Sequence, residues 1–237
     1  MNNPSRSPSK PKEGTEYVYH SFCCQGRRPT NQDCVGVLDM PEQERKLFVI
    51  CDGMGAYPHS DVASQAVVAS IVNYWRGNPK RRDSEKKVLD AIHDAQVALD
   101  KRSRGLHSRI GTTMVMVSIE KGIATIAHLG DSRAYVYNSE EGMKYVTEDH
   151  VCETGGLTRC FFSHSEVSSQ PGIIRVTLSS GDYIFLCTDG TWRCFDPAML
   201  ESILRTDKDD DAKIEEIVKH CEKHSFDNYS GILIKTG

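Results

Sequence analysis

The chain has 237 residues, 38% hydrophobic and 26% charged, with a formal net charge of −4 and an isoelectric point near 6.1. It is long enough to bury a full core, and at this mild acidity nothing suggests a nucleic-acid or anionic-membrane footprint. No apolar run approaches a membrane span. The nine cysteines, without a CxxC pair, argue for buried, reduced thiols in a cytosolic protein and against a disulfide framework or a zinc site.

Residues 1–16 are rich in Ser, Pro and Lys and lack the apolar core of a signal peptide. They read as a disordered leader before one domain over 17–237. Strand composition, β-branched and aromatic, begins with YVYHSFC and returns in DCVGVLD and KLFVICD. A helix is expected from Asp61 to Trp75, capped by Ser60 and apolar along Val62, Ala66, Ala69 and Val72. The basic cluster Arg76, Lys80, Arg81 and Arg82 just past it reads as a solvated loop. A second helix, in DSEKKVLDAIHDAQVALDKRS, places Val88, Ile92, Ala95 and Leu99 on one face.

Strands resume in GTTMVMVSIE, ATIAHLGDSRAYVYN and IIRVTLSSGDYIFLCTDG. Asp196 then caps a helix with Pro197 in its first position. A further helix carries Ile214, Ile217, Val218 and Cys221, and YSGILIKTG closes the chain as a strand. Strands interrupted by helix pairs predict an α+β fold, a central antiparallel sandwich covered by helices.

The strand ends carry the chemistry. ICDGMG at 50–55, NQD at 31–33, GDSR at 130–133, TDG at 188–190 and DN at 227–228 each set an aspartate at a strand boundary. Any one suits an ordinary turn. If the strands share one pair of sheets, however, the ends converge, and clustered carboxylates need cations to compensate their repulsion. Oxygen-only ligands select Mg²⁺ or Mn²⁺. The cysteines near Asp52 and Asp189 are expected to point into the core.

In order, the chain shows RPTNQD, VICDGMG followed by DVAS, GTTMVMVSI, AHLGDSRAYVY, VTEDH, LTR, LSSGDYIFLCTDGTW and DNYSGILI. This series resembles the metal-dependent serine/threonine protein phosphatases (type 2C, the PPM group), in their compact bacterial-style branch, over about residues 17 to 237. The resemblance implies a β-sandwich flanked by helix pairs, with a binuclear metal centre at one end. It assigns Asp52 as the carboxylate bridging two ions, with the Gly53 carbonyl as a ligand to one. Asp189 and Asp227 complete the surroundings of the first ion, Asp33 holds the second, directly or through water, and Asp131 with Asp189 serves a third, weaker one. Arg28 matches the arginine that grips substrate phosphate, so Arg28 and Asp131 are the candidate catalytic residues. The expected reaction is hydrolysis of phosphoserine and phosphothreonine esters by a metal-bridged hydroxide, without a phosphoenzyme. Phosphoproteins made by a serine/threonine kinase are the implied partners, and the cytoplasm the implied location.

Three departures accompany the resemblance. Ala56 and Tyr57 stand where the bacterial form has Gly and His, and His59, two residues on, reads as a surface loop histidine rather than as a stand-in. DHVCETGGLTR is too short for the segment that relatives carry beside the substrate, which predicts a more open cleft. Ser230 replaces a threonine. Two alternatives stand beside the phosphatase reading: a pseudophosphatase that only binds phosphoproteins, and a metal hydrolase of small phosphate esters.

Overall fold

The computed structural model describes residues 16–138, 140–164 and 169–237. Apart from Glu16, the expected leader lies outside the described residues. Alternation of apolar side chains builds two five-stranded antiparallel sheets. One runs in the order β1 (Tyr17–Cys24), β12 (Tyr229–Thr236), β11 (Asp182–Cys187), β7 (Arg133–Asn138), β8 (Gly142–Val146). The other runs β10 (Gly172–Thr177), β6 (Ile123–Leu129), β5 (Met114–Glu120), β3 (Arg45–Asp52), β2 (Asp33–Met40). A two-stranded ribbon pairs β4 (Gly111–Thr112) with β9 (Phe161–Phe162).

The sheets pack face to face through Phe48, Ile50, Val115, Val117, Val136, Ile184, Leu186, Ile232 and Ile234. The opposite face of β3, carrying Leu47, Val49 and Cys51, packs under α1 (Ser60–Gly77) and α2 (Glu85–Leu106). Tyr135, Tyr183, Phe185 and Leu233 turn outward beneath α4 (Pro197–Arg205) and α5 (Asp210–His224). A single turn, α3 (Asp189–Trp192), links β11 to that layer. The result is the expected α+β sandwich with helices on both faces.

Local expectations fared unequally. Asp196 caps α4 as expected, accepting from the Met199 amide with Pro197 in the first turn, and Ser84, not anticipated, caps α2 by accepting from the Lys87 amide. Val88, Ile92, Ala95 and Leu99 are all buried under α2. Ser60, by contrast, is not the cap of α1. His59 holds that position at φ 60°, and the Ser60 hydroxyl instead donates to the carbonyls of Met54 at 2.5 Å and Tyr57 at 2.7 Å. The buried stripe of α1 is Ala63, Val67, Val68, Ile71 and Trp75, not Val62, Ala66, Ala69 and Val72. Alanine and valine line α1 on most sides, so periodicity alone was ambiguous, and the larger side chains turned inward. Strands β8 and β9 were not anticipated. Cys51, Cys187 and Cys221 are buried free thiols as expected, but Cys23 and Cys152 are exposed.

Candidate metal centre

Asp33 and Asp52 are direct cross-strand partners in the β2–β3 ladder. Strand alternation places both on the face of Val35, Val37, Phe48 and Ile50, at the rim of the inter-sheet core. The Asp52 backbone is fixed by Thr113, whose hydroxyl accepts its N–H at 3.1 Å, and by Thr112, whose hydroxyl donates to its carbonyl at 2.7 Å. Gly53 donates to the Gln32 carbonyl at 3.1 Å, and a Cβ there would strike the Ser60 and Gln32 carbonyls. Glycine is therefore required where the chain leaves β3.

The other three aspartates arrive from separate loops. Asp131 follows Gly130 (φ 99°) between β6 and β7, Asp189 opens α3, and Asp227 precedes β12. Asp52, Gly53, Asp131, Asp189 and Asp227 line one cleft of about 220 Å³, together with Arg28, Gln32, Thr113 and Leu157. Asp33 lies behind it, buried. Among the described residues, larger hollows, of about 500 and 650 Å³, open on the outer face of α1 and α2, away from these carboxylates.

Asp33 is 7% exposed. Its Oδ2 accepts from Ser230 Oγ at 2.7 Å and Thr188 Oγ1 at 3.0 Å, while Oδ1 is buried without a partner among the described residues. Burial pushes its carboxyl up to about 7, against the two hydroxyl donors. Asp52 is raised well above the carboxylate range by burial and by the charges of Asp33 and Asp189. Asp131 is raised by burial and by Asp189, with Arg193 opposing.

Among the described residues no three carboxylate, imidazole or thiol groups close into a finished metal cage. Guanidinium groups tie up several of the carboxylates instead. Arg28 Nη2 lies 2.6 Å from Asp227 Oδ2, and Arg193 Nη2 lies 3.2 Å from Asp131 and 3.1 Å from Asp189. The inner pair has no such partner among the described residues. A lone buried carboxylate oxygen beside a second raised carboxyl, in an all-oxygen donor set, suits a hard divalent cation.

With this geometry in view, the sequence pattern described as Protein phosphatase 2C matches residues 25–228. The chain belongs to the protein phosphatase 2C family. It is, by family, an enzyme: a phosphoprotein phosphatase. Among its relatives is the serine/threonine phosphatase Stp of Listeria innocua, 23% identical over 88% of this chain and 91% of that protein. Another is the protein phosphatase PhpP of Streptococcus pneumoniae, 26% identical over 88% and 92%. The serine/threonine phosphatase Stp1 of Staphylococcus aureus superposes with a TM-score of 0.82 at 22% identity, over 99% of each chain. That of Mycobacterium tuberculosis, PstP/Ppp, gives 0.78 at 19% identity, over 92% and 98%.

The departures within this family member now have locations. Tyr57 packs its ring on Phe162 at 4.9 Å, outside the cleft lining, and His59 is an exposed helix cap. Residues 150–158 form a tight turn closed by the Val151–Leu157 bridge and by Thr158 N–H donating to the His150 carbonyl at 2.8 Å. From this turn Leu157 reaches the cleft. Ser230 keeps the hydroxyl that holds Asp33.

Sequence reading missed Thr188, Asn228 and Arg193 as parts of the site. Asn228 accepts from the Gln32 amide at 2.9 Å and donates to the Gln25 and Thr30 carbonyls at 2.7 and 2.9 Å, pinning the loop that carries Arg28. Arg193 had a signal, four residues after Asp189 at the head of a helix.

Proposed function

We propose that this member of the protein phosphatase 2C family is an active serine/threonine protein phosphatase that works with two Mg²⁺ or Mn²⁺ ions and forms no phosphoenzyme. The observation that carries the reading is the convergence of Asp33, Asp52, Asp131, Asp189 and Asp227 with Arg28 at one end of the sandwich. Asp52 would serve both ions, the Gly53 carbonyl, Asp189 and Asp227 one of them, and Asp33 the other. Such ions supply acidification of water, giving a nucleophile near neutral pH.

The chain's own residues do the rest. Arg28, half-exposed on the cleft wall, offers a planar fork to two phosphoryl oxygens. A phosphoryl group arriving there competes with Asp227 for the guanidinium, exchanging one carboxylate for another anion. Asp131 holds negative charge at the end of the cleft formed with Asp189 and Arg193. Neither cysteine nor histidine lines the cleft among the described residues, and the Thr113 hydroxyl is engaged with Ser132 at 2.7 Å. This supports direct attack by water.

Phosphoproteins, in opposition to a serine/threonine kinase, are the proposed substrates in cell signalling. The nine free thiols suit the reducing cytoplasm, and among the described residues no helix is long and apolar enough to cross a membrane.

The test is turnover of phosphoserine, phosphothreonine and phosphotyrosine peptides, beside a small phosphate ester, by chelator-stripped and Mn²⁺-restored protein. Activity should vanish on chelation, return with Mn²⁺ and favour the serine and threonine peptides. Asp52→Asn keeps shape and removes a negative ligand, so it should lose both Mn²⁺ affinity and turnover. Full turnover in excess chelator would overturn the reading, and hydrolysis of the small ester alone would replace it with the small-ester hydrolase.

A further inference from the structure

Two of the four aspartates that line the cleft are bridged by a cation that belongs to the chain. A single Arg193 nitrogen, Nη2, lies 3.2 Å from Asp131 Oδ2 and 3.1 Å from Asp189 Oδ2. The placement has local causes. Asp189 and Arg193 are separated by one turn of α3, which brings their side chains together. The Arg193 guanidinium also lies over the Trp192 ring, 5.3 Å from its centroid. Trp192 Nε1 in turn donates to the Asp131 carbonyl at 2.8 Å, so the ring beneath Arg193 is tied to the residue that Arg193 pairs with. Arg133 lies over the same ring at 3.4 Å and is held by Asp149 through two contacts of 2.8 Å.

The cleft therefore has two unlike ends. At the inner end Asp33 and Asp52 face one another across a strand pair, and among the described residues Asp33 Oδ1 has no partner. At the outer end Asp131 and Asp189, both largely buried, share the guanidinium of Arg193, whose side chain is 58% exposed. An ordinary exposed ion pair would matter little. This one occupies oxygens that an ion would need, and it sets a positive charge where a second cation would have to sit.

We propose that Arg193 is the built-in counter-ion of the Asp131–Asp189 pair and keeps that end of the cleft from binding a divalent ion. The two ions are thereby confined to the side of Asp33, Asp52 and Asp227, where Asp189 gives only the oxygen that Arg193 does not engage. The inference rests on the two-ion reading above, and it replaces the third, weaker ion that the resemblance implies for Asp131.

The experiment is calorimetric titration of chelator-stripped full-length protein with Mn²⁺, with native mass spectrometry as a second count. Wild type should bind two ions per chain. Arg193→Gln, and Arg193→Met, which keeps an apolar contact on Trp192, should bind three, the added one at least tenfold more weakly. Introducing Asp131→Asn into Arg193→Gln should return the count to two. Circular dichroism confirms folding, as a structural role for Arg193 would leave the count unchanged. Three ions in wild type, or two in both Arg193 variants, would overturn the inference and leave the metal reading standing. No ion in wild type would overturn both.

Discussion

Arg28 and Asp227 show how one contact can serve two purposes. Asn228 anchors the loop that carries Arg28, so its guanidinium is delivered to the cleft wall rather than to bulk solvent. Asp227 raises the affinity of that guanidinium for its proton through their 2.6 Å hydrogen bond. Arg28→Ala should remove a grip that acts on a phosphate already charged in the ground state. KM for a phosphopeptide should rise about tenfold or more, equivalent to about 1.4 kcal/mol, with a smaller fall in kcat. Steady-state kinetics decide it, and an unchanged KM would place Arg28 outside substrate binding.

At the scale of elements, the loop after β6 and the VTEDH segment are locked together by two stacked imidazoles, His128 and His150, with centroids 4.4 Å apart. His150 Nδ1 accepts the Gly130 amide at 3.3 Å, and the His150 amide donates to the Gly130 carbonyl at 3.0 Å. This pairing holds the turn from which Asp131 projects. Burial and the neighbouring His128 push His150 down to about 4, and burial lowers His128 as well. The folded state thus binds a proton less readily than the unfolded chain, whose imidazoles titrate near 6.5. The stabilisation is complete above that value and is lost as pH falls from 6.5 towards 4. Asp149 opposes this shift and Arg159 reinforces it. Thermal melts across this window should show a fall in Tm that is reduced in His150→Gln, which keeps an acceptor for Gly130. An equal fall in the variant would refute the assignment.

For the whole molecule, the seam between the helix layer and its sheet is held by buried charges far from the cleft. Lys87, fully buried, donates from Nζ to Asp83 and to the Arg81 carbonyl, both at 3.0 Å. Asp83 also meets Arg45 at 3.1 Å and accepts from the Ser118 hydroxyl, and Ser118 accepts from Trp75 Nε1 at 3.1 Å. One carboxylate thus joins α1, α2, β3 and β5. Lys87→Met removes one counter-charge and leaves Arg45, so the cost should sit near the lower end for a broken buried pair, about 3 kcal/mol. Calorimetry should show Tm lower by about 6–12 °C, with phosphopeptide turnover at permissive temperature unchanged. A melt like wild type would show that the network contributes nothing net.

The amino-acid sequence by itself determined the strands from Tyr17 to Asp52, the α2 face at Val88, Ile92, Ala95 and Leu99, and the aspartates at the strand ends. These follow from period, caps and turn residues, which act over a few positions. It did not determine which face of α1 is buried, because alanine and valine surround that helix, nor the cap at His59, because Ser60 found carbonyl acceptors in the preceding turn. Only the tertiary structure decided that Asp33 faces Asp52 across a strand pair, that the hydroxyls of Thr188 and Ser230 converge on Asp33, and that Arg193 pairs with Asp131. Those relations join residues 19, 155, 197 and 62 positions apart. No local pattern reports them, since strand register and sheet order are settled by how the two inner faces pack.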